Sequence, residues 1–243
     1  MKAAGVGRKG VTVQMDARSS RERLQKRPLF VKKNGSELVR FLTEGSTQRS
    51  AARKYGQRYL EVLSAAARAF AKRGYQAATT KDIADEIGLQ QGSLYHYIRS
   101  KEAALEQICD VAIDGYVSFS GRVRRSKPHP SEKLRTIIEL HLSTLDERPD
   151  FFKVFQENRK ELGDKARHKI GRQIRVYERN IEAIFRQGIR DGEFRNDVDA
   201  THATLLLLAA CNSVSIWWQV RSSATIPKIA ADISDVLLNG LLA

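Results

Sequence analysis

The sequence predicts an all-α protein, and three observations carry that prediction. Apolar residues recur at helical spacing, as in Leu60, Leu63, Ala67 and Phe70, and again in Ile170, Ile174, Tyr177, Ile181, Ile184 and Phe185. Hydrophobic residues fill 42% of the 243 positions and only five prolines interrupt them, so long helices meet few breakers. Residues suited to helix ends stand at the edges of the stripes: Ser100 and Asp199 at starts, Gly74, Gly88 and Gly192 at ends.

Taken in order, residues 1–55 read as a basic, flexible arm with little apolar periodicity, apart from a short helical pattern in Leu38, Phe41 and Leu42. The net charge is +14, and residues 1–56 alone hold fourteen Lys/Arg against four Asp/Glu, leaving 28 against 24 in the remainder. The basic excess therefore belongs to the tail, and the folded part is nearly balanced. Two readings of the tail stand side by side: an arm that adds salt-sensitive phosphate contacts, and a solvated extension. A start at Met15 or later is a third, and an Arg-rich, acid-poor opening also superficially fits a transit peptide. The first firm helix spans about Gln57 to Lys72 and ends at Gly74.

The stretch from Thr79 to Ile98 organises the rest. Thr79 or Thr80 offers a hydroxyl to the free amides of a short helix, and Asp82 suits its positive end. Ile83, Ala84 and Ile87 form one narrow apolar stripe, and Gly88 supplies a residue tolerant of positive φ. A second helix starts near Gln90 or Gln91, with Gln91, Gly92 and Ser93 outward and Leu94 and Ile98 inward. Two such helices across a glycine-bearing turn make a helix-turn-helix, whose second helix enters the DNA major groove.

These residues carry a resemblance. Gly92-Ser93-Leu94-Tyr95-His96-Tyr97 followed by Ser100-Lys101-Glu102, preceded by Thr79-Thr80 and Ile83-Ala84, resembles the tetracycline-repressor (TetR) family of bacterial transcription regulators. The resemblance is specific over residues 56–116 and decays beyond them; Ile98 stands where the family commonly has an aromatic residue. It implies an N-terminal three-helix DNA-binding head over 56–116 and a helical effector-binding and dimerisation domain over 117–243, paired as an Ω-shaped homodimer. It also implies that Thr80, Tyr95, His96 and Lys101 grip phosphates. Base reading falls to Lys81, Gln91, Gly92, Ser93 and again Tyr95, with Gln90 beside them as a further DNA-contact candidate: Gln suits adenine, Lys suits guanine, and a glycine lets backbone approach base edges. Two equal heads imply an inverted-repeat operator.

The body continues the helical pattern. Ser100 caps a helix from Lys101 to Gly115 or Phe119; Arg122 to Pro130 is a break; a helix follows from Glu132 to about Leu145. Pro149 opens one carrying Phe151, Phe152 and Phe155, which are core or line a pocket. One long helix spans about Asp164 to Asp191, Asp199 caps an apolar one over Ala200 to Val220, and Pro227 starts the last, to Leu242. The final two are too apolar for a monomer's surface and fit a four-helix dimer interface, as the resemblance also implies. The segment Asn212 to Trp217-Trp218 is similar to one in family members that answer to acyl-CoA thioesters of lipid or sterol catabolism. On that reading Phe151, Phe152, Phe155, Tyr177, Asn212, Trp217 and Trp218 line an effector pocket, with Arg175 or Arg179 meeting phosphates. The competing reading packs both tryptophans at the dimer interface.

Other classes find little support. His96, His129, His141, His168 and His202 lack ligand spacing, and Cys109 and Cys211 have no paired spacing or neighbouring histidine, so no metal, no cofactor and no catalytic residue is expected. No run of 18 apolar residues and no signal-peptide core appear, which points to a cytoplasmic, nucleoid-associated regulator without a membrane partner. The remaining rival is a sequence-nonspecific DNA-coating protein acting through its basic arm.

Overall fold

The computed structural model describes residues 47–241, with side chains from Tyr55 onward; the helical pattern at 38–42 lies outside these residues. Helices follow one another in the order α1 (Thr47–Arg73), α2 (Thr80–Glu86), α3 (Gln91–Leu94), α4 (Lys101–Arg124), α5 (Pro130–Glu147), α6 (Pro149–Asn158), a 3-10 turn (Arg159–Glu161), α7 (Asp164–Arg190), α8 (Ala200–Arg221) and α9 (Ile226–Asn239). No strand occurs among the described residues. Helix α1 starts ten residues before the expected helix start at Gln57, so the expected arm boundary falls inside it. Local polarity hid this, because a helix anchored by its C-terminal half can extend through polar sequence.

The caps are those the residue types demand. Thr79 accepts from the Asp82 amide at 3.2 Å while Asp82 accepts from the Thr79 amide at 2.8 Å, a reciprocal capping box. The Thr79 hydrogen bonds, aided by Arg73 at 3.1 Å, hold the Asp82 carboxyl below its usual range. Gly88 takes φ +64°, which turns the chain from α2 toward α3. Ser100 accepts from the Ala103 amide at 3.1 Å and Asp199 from the His202 amide at 2.7 Å.

Leu63, Phe70, Ile83, Leu94 and Ile98 are fully buried between α1, α2 and α3, and that head packs on α4 and α6. Lys153 of α6 donates to the Ala71 carbonyl at 2.9 Å, and Gln76 donates to Glu161 at 2.8 Å. Below the head, α4 lies along α7, α5 along α9, and α8 against α7 and α5. Helix α4 runs on to Arg124, across the expected domain boundary, because Phe119 and Val123 continue its buried face. At the far end Gly188 permits a contact no other residue would: a Cβ there would sit 2.3 Å from the Phe194 ring.

The Ala200–Trp218 window of α8 holds no unbroken apolar run, since Thr201, His202, Thr204, Asn212, Ser213 and Ser215 interrupt it, yet it is apolar on average. Its mean hydropathy is 1.3, long and apolar enough to cross a membrane by length and composition, with 33% of it buried in the fold. It packs on α7 and α5 and leaves Leu205, Leu206, Ile216 and Val220 exposed, with Val236 of α9 exposed as well.

Candidate nucleic-acid interface and effector cavity

The head presents one polar face. Lys81, Gln90, Gln91, Gly92, Tyr95 and His96 are exposed, Thr80 and Ser93 half-buried. Gln91 of α3 donates to the Thr80 hydroxyl of α2 at 2.9 Å, and the Thr80 and Tyr95 hydroxyls lie 3.4 Å apart. Three side chains from both helices are thus tethered on the face that would meet DNA, at a low entropic cost of docking. A Cβ at Gly92 would meet nothing within 4 Å, so nothing inside the protein requires glycine there. Its bare backbone is available to a base edge.

Lys101 is placed differently from expectation. Its ammonium donates to the Tyr75 and Gln76 carbonyls at 3.0 and 3.1 Å and lies 4.6 Å from the Tyr75 ring centroid. Two of its three donors pin the α1–α2 turn, leaving one for a phosphate. Burial pushes the Tyr75 hydroxyl up to about 12, so it stays neutral beside that ammonium.

Tyr55 and Tyr97 were missed by sequence reasoning. The Tyr55 hydroxyl donates to the His96 carbonyl at 3.1 Å and its ring stacks on Tyr97 at 5.3 Å, which ties α1 to the end of the α3 turn. The signal was a tyrosine one turn ahead of the apolar stripe, assigned to the arm.

The second site lies in the body. A cavity of about 750 Å³ opens between α6 and α8, lined by Phe152, Lys153, Gln156 and Glu157 on one side, and by Asn212, Ser213, Ile216 and Trp218 on the other, with Leu145 and Pro149 at its end. Of the expected pocket residues it gathers Phe152, Asn212 and Trp218. Phe151 and Phe155 are buried core, with the Arg148 and Arg159 guanidiniums 5.5 Å from their respective ring centroids. Trp217 is half-buried off the cavity, and Arg175 and Arg179 are exposed on α7 away from its lining. One reason is helical phase: residues 151, 155 and 217 sit on the faces that their helices turn toward the core rather than toward the gap.

Tyr177 lies in a buried aromatic cluster instead. Its hydroxyl is 2.9 Å from His141 Nδ1, and Tyr116 of α4 packs on both rings while bonding Thr144 at 2.8 Å. Burial pulls the His141 imidazole down to about 4 and raises both tyrosines. Cys109 and Cys211 are buried and pushed up to about 12, which suits inert thiols. No group of three metal-ligating side chains exists among the described residues.

Comparison with known proteins fits this geometry. Residues 62–108 match bacterial regulatory proteins of the tetR family, and residues 127–241 match the tetracyclin repressor-like C-terminal domain. The HTH-type transcriptional repressor KstR2 of Rhodococcus jostii is 28% identical over 196 residues, 77% of this chain and 92% of its own. KstR2 of Mycolicibacterium smegmatis is 32% identical over 146 residues, 57% of this chain and 68% of its own. Among solved structures, the TetR-family regulator PfmR of Thermus thermophilus superposes with a TM-score of 0.68 at 30% identity, over 73% of this chain and 97% of its own. Bacillus subtilis FadR, solved with stearoyl-CoA, shares the fold at TM-score 0.63 and 22% identity, over 75% and 98%.

The helix-turn-helix head on a helical body defines a DNA-binding transcription regulator. The chain belongs to the TetR family of bacterial transcriptional regulators. A protein that merely coats DNA through its arm is set aside by these relatives, which are named as transcriptional repressors.

Proposed function

We propose that the chain is a repressor that grips an inverted-repeat operator as a homodimer and lets go when an acyl-CoA-type molecule enters the α6–α8 cavity. The observation that carries the DNA half is the Thr80–Gln91–Tyr95 tether on an otherwise solvent-facing α3. Lys81, Ser93 and the Gly92 backbone complete a reading face, with His96 and the spare Lys101 donor toward phosphates. The dimer half is supported by the exposed Leu205, Leu206, Ile216 and Val220 on α8 and Val236 on α9, a surface whose burial would be worth several kcal/mol, at roughly 25 cal/mol per Å². Ile216 also lines the cavity, so a partner seated there would border the effector site. The effector class is favoured by the mixed apolar and polar lining and by the relative solved with stearoyl-CoA.

On this reading the head ends near residue 116, residues before 55 add phosphate contacts, and the protein works in the cytoplasm beside the nucleoid. Selection from a genomic-fragment library tests it. Wild type should recover one inverted repeat, and the Tyr95→Phe/Gln91→Ala double variant should lose it. Uniform binding that survives the double variant and vanishes with residues 1–54 would overturn the proposal. A metabolite screen for operator release then tests the effector.

A further inference from the structure

The chain beyond its tail is nearly balanced in charge, but α7 is not. That helix carries eight Lys/Arg against three Asp/Glu, and every exposed residue on it from Lys165 to Arg190 is Lys, Arg or His. Arg172, Arg175, Arg179, Arg186 and Arg190 stand at i, i+3, i+7, i+14 and i+18, so they share one helix face with Lys165. At 1.5 Å per residue this row runs roughly 37 Å. Arg186 is paired with Glu182, whereas Lys165, Arg172, Arg179 and Arg190 make no salt bridge among the described residues. Solvated helix faces commonly interleave signs, as α9 does by setting Lys228 against Asp232 one turn on. Like charges one turn apart, such as Arg175 with Arg179 and Arg186 with Arg190, weaken a helix, yet the chain keeps them. The end of α4 adds Arg122 and Arg124 to the basic side chains on this part of the body. Arg125 follows and folds back, so that a Cβ on Gly121 would meet its guanidinium at 3.4 Å and the Asn180 amide of α7 at 3.8 Å.

We propose that this row is a second nucleic-acid surface, which holds a DNA duplex other than the one on the head, so that the bound regulator bridges two DNA segments. Direction separates the row from the head. Lys169 of α7 pairs with Asp110, Tyr177 packs on Tyr116, and Asn180 donates to Ser120, so α7 runs beside α4 in the same sense. Helix α4 begins at the head, where Lys101 braces the α1–α2 turn, and both helices lead away from it. A straight duplex lying on α3 leaves that line, and the row meets a different segment. Charge names the partner: one basic side chain about every 5 Å faces a strand with one phosphate per ~3.4 Å. Guanidiniums grip phosphates in pairs of hydrogen bonds, and no base need be read, so the second duplex is held regardless of sequence. The apolar face of α7 is used up in the core by Ile170, Tyr177, Ile181 and Ile184, which leaves nothing to enter a lipid surface. The chain's own tail is repelled, with fourteen Lys/Arg against four Asp/Glu over residues 1–56. The proposed dimer surface lies on α8 and α9, so both rows of a dimer stay open.

A capture experiment on the full chain tests this. Beads carrying the selected operator duplex are loaded with protein and offered a labelled random duplex. Wild type should hold the second duplex at about 50 mM salt and lose affinity for it about a thousandfold by ~200 mM, as six phosphate contacts require. Lys165→Glu/Arg172→Glu/Arg190→Glu, all surface changes, should weaken capture at least ~tenfold while operator affinity, read by anisotropy, stays at the wild-type value. The single variant Arg172→Gln should lower the salt slope of capture by about one. Capture that survives the triple variant overturns the proposal, because the heads or the tail then hold the second duplex. Operator affinity that falls in step with capture also overturns it, since the row would then lie on the operator's own duplex. No capture by wild type at low salt overturns it as well and leaves the row to an acidic protein. Should no operator be selected, the repressor reading falls, and the same comparison on beads carrying a random duplex still decides the row.

Discussion

In the head, Thr80, Gln91 and Tyr95 meet across a single turn of chain and face solvent. In the body, His141, Gln156, Tyr177 and Asn212 come from four separate helices, and two of the four are buried. The head needs little from the fold beyond an angle between two short helices, so its chemistry is displayed at the surface by local sequence. The body builds its site by packing, so its polar groups are desolvated and the titration of His141 and Tyr177 is displaced by burial. The lesson is that the same residue types are displayed outside and desolvated inside, according to what surrounds them.

Substitutions can break this contrast in graded ways. The largest stability effect is expected at Gly188→Ala, whose Cβ would meet the Phe194 ring at 2.3 Å. Overpacking of this kind costs about 2–3 kcal/mol, seen as a lower midpoint in urea with an unchanged slope. A melting profile equal to wild type would show that Phe194 can yield. The mirror case in the head is Tyr95→Phe/Gln91→Ala. It should leave the melting temperature alone and weaken the selected operator by about 2–3 kcal/mol, read by titration against a scrambled duplex.

Next comes pH. His141 is neutral in the fold with its ionisation pulled down to about 4, while the unfolded imidazole titrates near ~6.5. The unfolded state therefore binds more protons between those values, and stability falls as pH drops through that window. The loss should reach about 2 kcal/mol at pH 5 and should flatten in a folded His141→Phe variant. Smallest is the effect of Gly92→Ala, expected to change stability by less than ~1 kcal/mol because its Cβ would find open space. It should still impair operator binding, since the added methyl would stand between backbone and base. Intact binding would remove Gly92 from the reading face.

Much of the head was legible because its determinants are local. A capping threonine, an apolar triplet and a glycine at positive φ specify α2 and its turn without reference to the rest of the chain. The start of α1 was not legible, since Thr47 to Gly56 lacks an apolar stripe and is helical as an extension of the buried half. The pocket was half legible. Phe152, Asn212 and Trp218 reach the cavity, whereas Phe151, Phe155, Tyr177 and Trp217, with the same chemistry, turn elsewhere. Residue type announced aromatic and polar content; only helical phase and neighbour packing assigned each ring to wall or core.

By itself, then, the sequence determined what periodicity and end-signals can carry: an all-α chain, the order of its helices, the helix-turn-helix and the residues on its outer face. Tertiary structure alone decided that Lys101 braces the α1–α2 turn, that Gly188 admits Phe194, and that His141 of α5 meets Tyr177 of α7 inside the core. The physical reason is distance along the chain. Helix formation and capping are settled within a few residues, whereas burial, desolvation and the pairing of polar groups depend on segments dozens of residues apart that meet only when the core closes.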